Sequence, residues 1–275
     1  MKKNIGIIGT GSLGGMLIRG LIGKGAVAPN QVYIFNRSLP KALKFKEEFP
    51  EIHVAENNSE IIEKAHWIFI CVKPQDLPFL LDEIGTKFPG EKLIVSTLLS
   101  PPLSELDNII QGKIVRIYPS VTQSTGHGVT LIAFNRQVTD SERKQLIALL
   151  DHIGRTFSVA EEHFRLCGDI TSCGPAFMAY MIGSLARVAH EHGIEKELAD
   201  AMALETMFGT SLLLRNQKLT FDELICRVAT PGGCTAEGIK VLEQNLPRII
   251  REIFKVTAAR EKEVSEIVLK SLKIK

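Results

Sequence analysis

One short segment does most to limit what this chain can fold into. Gly9-Thr10-Gly11-Ser12-Leu13-Gly14 follows an apolar run, Asn4–Ile8, and leads into Ser12–Ile22, where apolar residues recur at helical spacing. Strand, glycine turn and helix in that order open a βαβ unit, and the GxGxxG spacing acquires meaning only in that context. The first glycine permits the tight turn. The second removes a side chain where backbone would meet a pyrophosphate, and the third lets helix pack against strand. Free N–H groups at the helix start then face the anion. Gly9, Thr10, Gly11, Ser12, Leu13 and Gly14 are therefore the first candidate cofactor-binding residues.

The pattern continues as the turn requires. Strands are expected at Gln31–Phe35, His53–Ala55, Trp67–Val72, Lys92–Thr97, Lys113–Ile117, Gly128–Phe134 and Thr156–Val159. Helices are expected at Pro40–Glu48, with Ser38 as cap, and at Ser59–Lys64, with the Asn57/Glu60 pair as cap. Thr139 and Glu142 form a capping box ahead of a helix through Leu150. Alternating strands and helices imply a mostly parallel, doubly wound α/β sheet. After about residue 160 the strand signals stop. Helices are expected at Pro175–His192, Glu197–Leu214, Phe221–Val228, Ala236–Gln244 and Pro247–Leu272. The expected organisation is a nucleotide-binding Rossmann domain over 1–160 and an all-α domain over 161–275.

The end of the second strand should read the adenosine ribose. It carries Asn36-Arg37-Ser38 and no carboxylate. A guanidinium and a hydroxyl suit a 2′-phosphate better than free ribose hydroxyls. The expectation is NADPH, with NADH as the alternative. Val72, Lys73 and Pro74 close the fourth strand, where ligands of open α/β sheets bind. In the helical half, Thr171–Phe177 and Thr230–Thr235 place hydroxyls and exposed N–H groups at helix starts. Such places hold a small carboxylate without a cationic side chain. Thr235 is also placed to cap the helix that follows.

Charge and composition exclude other classes. Lys and Arg number 33 against 31 Asp and Glu, so no global field favours nucleic acid or an anionic membrane. The basic tail residues Lys255, Arg260, Lys262 and Lys270 alternate with acids and read as a solvated helix face. The five cysteines lack CxxC spacing, which fits a reduced cytoplasm and offers no zinc site. Met1-Lys2-Lys3 ahead of an apolar stretch imitates a signal peptide, but five glycines between 6 and 15 oppose that helix. Residues 170–186 are uncharged, yet too polar and too short to span a bilayer.

Taken with Val115-Arg116 and Gly174-Pro175-Ala176-Phe177, these segments make the chain resemble the pyrroline-5-carboxylate reductases over most of its length. The resemblance implies an intertwined homodimer through the C-terminal helices and an active site between the two domains. It implies that Pro231–Thr235, through Gly232, Gly233 and Cys234, grips the carboxylate of a small imino acid, with Cys173 nearby. The Thr235 hydroxyl would hydrogen-bond the imine nitrogen as the catalytic side chain. NADPH would reduce 1-pyrroline-5-carboxylate to proline. Such chemistry needs no acid–base pair, because the cofactor carries the hydride.

Two segments depart from the family pattern. Tyr118-Pro119-Ser120-Val121-Thr122 stands where the family has Met-Pro-Asn-Thr-Pro, and Thr171-Ser172-Cys173 replaces Ser-Gly-Ser. These departures resemble a late-competence, ComER-type branch. They motivate a second reading, a cofactor-binding regulatory protein with weak or no reductase activity. A third, a β-hydroxyacid-dehydrogenase-like enzyme, is disfavoured because no lysine lies between Arg165 and Arg187.

Overall fold

A computed structural model describes residues 3–273; the basic start at Met1 and Lys2 lies outside them. Its eight strands are β1 (Ile5–Ile8), β2 (Val32–Phe35), β3 (His53–Val54), β4 (Trp67–Ile70), β5 (Leu93–Ser96), β6 (Lys113–Pro119), β7 (Gly128–Phe134) and β8 (Gly154–Ser158). They form one sheet in the order β3-β2-β1-β4-β5-β6-β7-β8. All neighbours are parallel except β6 and β7. Ile5 of β1 is level with both Val32 of β2 and Trp67 of β4. The chain winds outward from β1 to β3, then returns to β4 on the other side. The crevice beyond the carboxyl ends of β1 and β4 is thus the switch point where this architecture binds ligands.

Helices cover both faces. On one lie α1 (Ser12–Gly23), α2 (Leu39–Glu48) and α6 (Asp140–Leu150), which bury Leu17, Leu21, Phe45 and Leu146 against Ile5, Ile7 and Ile34. On the other lie α3 (Asn58–Lys64), α4 (Leu77–Ile84), α5 (Leu103–Ile109) and α7 (Glu161–Gly168), packed through Ile61, Leu81, Leu106 and Phe164. Each such large apolar side chain, fully buried, stabilises the fold by about 1.5–3 kcal/mol. Burial on both faces explains why β1 and β4 carry no polar side chain and β5 only Ser96.

Several elements differ from expectation. Helices α4, α5 and α7 fall in segments where no helix was expected. The first two start beside prolines, which are tolerated in a first turn. β4 ends at Ile70, so Val72-Lys73-Pro74 is loop, and a 3-10 turn spans Pro74–Asp76. The Asn57 and Thr139 caps form as expected, whereas Ser38 sits at the N-cap of α2 without a side-chain bond.

The contacts divide the chain into two units, one reaching through Ser172 and resuming at Ala258, the other running over Cys173–Thr257. The architecture therefore changes near residue 160, but α7 stays with the sheet because Phe164 is buried in its core. The second unit contains α8 (Gly174–Glu191), α9 (Lys196–Gln217), α10 (Phe221–Val228) and most of α11 (Cys234–Lys273). Its small core joins Ala186, Ala199 and Ala203. The two helices expected on either side of Pro247 are one continuous α11. A proline interior costs about 3 kcal/mol, which the helix formers on both sides and the single long helix they build offset here. No described helix is long and apolar enough to cross a membrane.

Candidate active site

The glycine turn has the geometry its spacing demands. Gly9 sits at φ +96°, and a Cβ there would stand 2.6 Å from the Cys71 carbonyl oxygen. Any Cβ at Gly14 would stand 2.0 Å from the Gly9 carbonyl oxygen. Gly11 is the opposite case, with nothing within 4 Å of its Cβ position. That open space lies beside the N-terminus of α1, whose first turn has no acidic residue and no side-chain cap. The unpaired first-turn N–H groups and the positive end of the helix together make a seat for a phosphate group.

The loops around the turn hold it in place. The Thr10 N–H donates to Asn36 Oδ1 at 3.2 Å, and Asn36 Nδ2 donates to the Ser38 carbonyl at 3.0 Å. Asn36 thus braces the turn, a role its place at the end of β2 did not disclose. Arg37 and Ser38 are exposed beside it. The Arg37 guanidinium lies 3.8 Å from Asp76, and the two side chains are 91% and 33% exposed. An arginine that exposed keeps its donors available to a ligand. Val72 and Pro74 are half-buried, and Lys73 is exposed with no ion pair among the described residues. The Cys71 backbone touches Gly9, so the β4 loop and the glycine turn share one end of the sheet. Burial pushes the Cys71 thiol up to about 12, against the opposing effect of its hydrogen bond to Thr97. It stays protonated and unreactive at neutral pH.

Three features escaped the sequence reading. Thr10 Oγ1 is buried without a hydrogen-bond partner among the described residues, beside the phosphate seat. Asp76 meets Arg37 only in three dimensions. The buried Arg116 guanidinium donates to the Leu98 and Leu99 carbonyls and to Glu161, and stacks over Phe164 at 4.4 Å. Arg116 therefore ties the loop after β5 to α7. No group of His, Cys, Asp and Glu among the described residues could hold a metal ion.

In the second unit, Thr230–Thr235 forms a tight turn. The Gly233 N–H donates to the Thr230 carbonyl at 2.9 Å, and Gly232 adopts φ +76°. Helix α11 starts at Cys234, so Thr235 lies inside its first turn rather than capping it. Pro231, Gly232, Cys234 and Thr235 are exposed, and Gly233 is half-buried. Backbone N–H groups and one hydroxyl at a helix start are a fit for a carboxylate next to a hydrogen-bonding atom. Cys173 is half-buried in the π-turn Asp169–Cys173 that precedes α8.

Comparisons with known proteins bear on the family and the fold. The family model of the pyrroline-5-carboxylate reductase dimerisation domain matches residues 161–264. That of the coenzyme F420-dependent NADP oxidoreductases matches residues 4–100. ComE operon protein 4 of Bacillus subtilis is 31% identical over 265 residues, covering 96% of this chain and 97% of that protein. A pyrroline-5-carboxylate reductase of Staphylococcus aureus is 24% identical, covering 94% and 97%. The pyrroline-5-carboxylate reductase of Coxiella burnetii superposes with a TM-score of 0.87 at 25% identity, covering 96% and 99%. That of Plasmodium falciparum, solved with NADP bound, superposes with a TM-score of 0.83 at 21% identity, covering 96% and 98%.

Proposed function

The chain belongs to the pyrroline-5-carboxylate reductase family, and from that premise we propose that it reduces a cyclic imine with NADPH, 1-pyrroline-5-carboxylate being the first candidate and proline its product. It is an NAD(P)H-dependent oxidoreductase. The observation that carries the reading is the phosphate seat. Gly11 leaves open backbone, α1 presents unpaired N–H groups, and Arg37 stands exposed where a 2′-phosphate would arrive. When bound, NADPH supplies the hydride.

The chain's own residues have separate tasks in this reading. Gly11, Ser12 and Leu13 take the pyrophosphate through their backbone, and Thr10 Oγ1 is available to it as a further partner. Arg37 and Ser38 meet the 2′-phosphate, while Lys73 and Pro74 border the nicotinamide side. Gly232 and Cys234 offer N–H groups to the substrate carboxylate, Gly233 closes the turn on the Thr230 carbonyl, and Thr235 hydrogen-bonds the imine nitrogen. Cys173 fills space near the substrate. Orientation of substrate against cofactor is the protein's main contribution to rate.

The helical half joins two copies of the chain in this reading. Met178, Tyr180, Leu185, Val188, Phe208 and Phe221 are exposed in the single chain, and the matched dimerisation model spans their helices. Apolar surface of that extent marks an interface.

A specific observation favours the regulatory reading as runner-up. In Tyr118–Thr122 the buried Ser120 spends its hydroxyl on Thr122 Oγ1 at 2.9 Å, while Val121 is 64% exposed. This loop offers a ligand less polar surface than an asparagine would. Steady-state NADPH oxidation with 1-pyrroline-5-carboxylate and other cyclic imines decides between the two. Turnover with one of them supports the reductase, and tight NADPH binding without turnover supports the regulator.

A further inference from the structure

A groove of about 570 Å³ runs along the outer flank of α1 toward α2 and the 3-10 turn Val121–Thr125. Its charge is one-sided. Lys24, Lys41 and Lys44 line it, and none of them has an ion pair or hydrogen bond among the described residues. No aspartate or glutamate lines it. Arg19 lines it too, but its guanidinium is held by Glu48 at 2.8 Å. Three unspent ammonium groups around one groove are unexpected in a chain whose formal charge is only +2.

Two further features describe an occupant. Met16 and the Phe45 ring give the groove an apolar wall. Gln123, 1% exposed, lines it and holds Oε1 without a hydrogen-bond partner, although its Nε2 donates to Thr130. The volume lies within the range of small-molecule sites. Lysines are point-charge partners for phosphate.

We infer that this groove binds a small phosphorylated anion at the end lined by Lys24 and Lys44, away from the pyrophosphate seat that its other end borders. The separation follows from α1. Lys24 comes directly after a helix of 12 residues, about 18 Å long, so it is a helix length away from the phosphate seat at Gly11. Lys44 lies one turn further into α2 than Lys41, which is nearer the Arg37–Ser38 end. Lys24 and Lys44 are therefore the residues that distinguish this site from the cofactor's. The groove also touches Thr10, Gly11 and Ser12. A bound anion there lowers NADPH affinity by charge repulsion, and NADPH lowers its affinity equally.

The test titrates inorganic pyrophosphate into the protein by calorimetry at low salt, both free and saturated with NADPH. The parent protein saturated with NADPH should still bind pyrophosphate, and the Lys24→Gln/Lys44→Gln double variant should bind it at least about tenfold more weakly. NADPH affinity of the double variant should stay within about twofold of the parent, and thermal unfolding should confirm that it folds. Absence of binding to the saturated protein, equal binding by the double variant, or a parallel loss of NADPH affinity would each overturn the inference. Should NADPH not bind at all, the reductase reading fails. The comparison of cofactor-free parent and variant with pyrophosphate still decides the groove.

Discussion

Two glycines of one turn should fail for opposite reasons when given a methyl group. At Gly11 the added Cβ meets nothing within 4 Å, and its backbone angles, φ −71° and ψ −160°, suit alanine. Gly11→Ala should therefore fold, losing only about 0.5–1 kcal/mol as a weaker N-cap. The methyl group would fill the space assigned to the pyrophosphate. Losing two charge-assisted N–H contacts removes about 3 kcal/mol or more, roughly a hundredfold in Kd. At Gly14 the added Cβ would lie 2.0 Å from the Gly9 carbonyl oxygen, a backbone atom that cannot swing away. Gly14→Ala should cost about 3 kcal/mol in stability, lowering Tm by roughly 5–10 °C. NADPH fluorescence titration and thermal unfolding of both variants read the two effects. A Gly11→Ala protein that binds NADPH within about threefold of the parent would refute the placement of the pyrophosphate.

Three more outcomes follow from the same site. Asp76→Asn should free Arg37 from an exposed, weak pairing and tighten NADPH about two- to fivefold while leaving NADH nearly unchanged; equal shifts for both cofactors would argue against a 2′-phosphate at Arg37. Thr235→Ala should lower kcat/KM about 10- to 100-fold with NADPH affinity intact, and unaltered kinetics would remove the hydroxyl from the chemistry. The Cys71 thiol titrates near 9.0 when unfolded and at about 12 when folded. Between those values the folded state holds the extra proton, so stability falls as pH rises above 9.0, by at most about 1.4 kcal/mol per unit from this group. Cys71→Ala should flatten that slope in chemical denaturation measured across the range.

Local signals in the chain carried much of the fold. The Asn57 and Thr139 caps act within one turn and both form, although only Glu142 returns the reciprocal bond to its cap, while Glu60 accepts from the Glu56 N–H instead. The buried run at residues 67–70 needed only its composition to be read as a two-sided strand. Prolines did not mark the helix bounds where tertiary context set their meaning. Pro78 sits in the first turn of α4, and Pro247 lies within α11. Within the site, the glycine turn was legible because its spacing encodes a backbone shape. The bond from Thr10 to Asn36, the pairing of Arg37 with Asp76 and the groove that Lys24 and Lys44 both line were not legible. Each joins residues far apart in sequence, and no local periodicity records such a meeting.

The path of α11 bears on how the protein is made. It begins in the second unit, yet from Ala258 onward its contacts belong to the first, where Val268 is buried. The sheet is thus synthesised early but cannot complete its set of contacts until the segment from Ala258 onward has emerged from the ribosome. A polypeptide cut after residue 160 would lack both α7 and this returning helix, and would uncover the apolar surface of the sheet that Phe164 packs against. Cofactor binding and folding of the nucleotide half are then best studied in the full chain, since the half that holds the glycine turn is finished by the other end of the molecule.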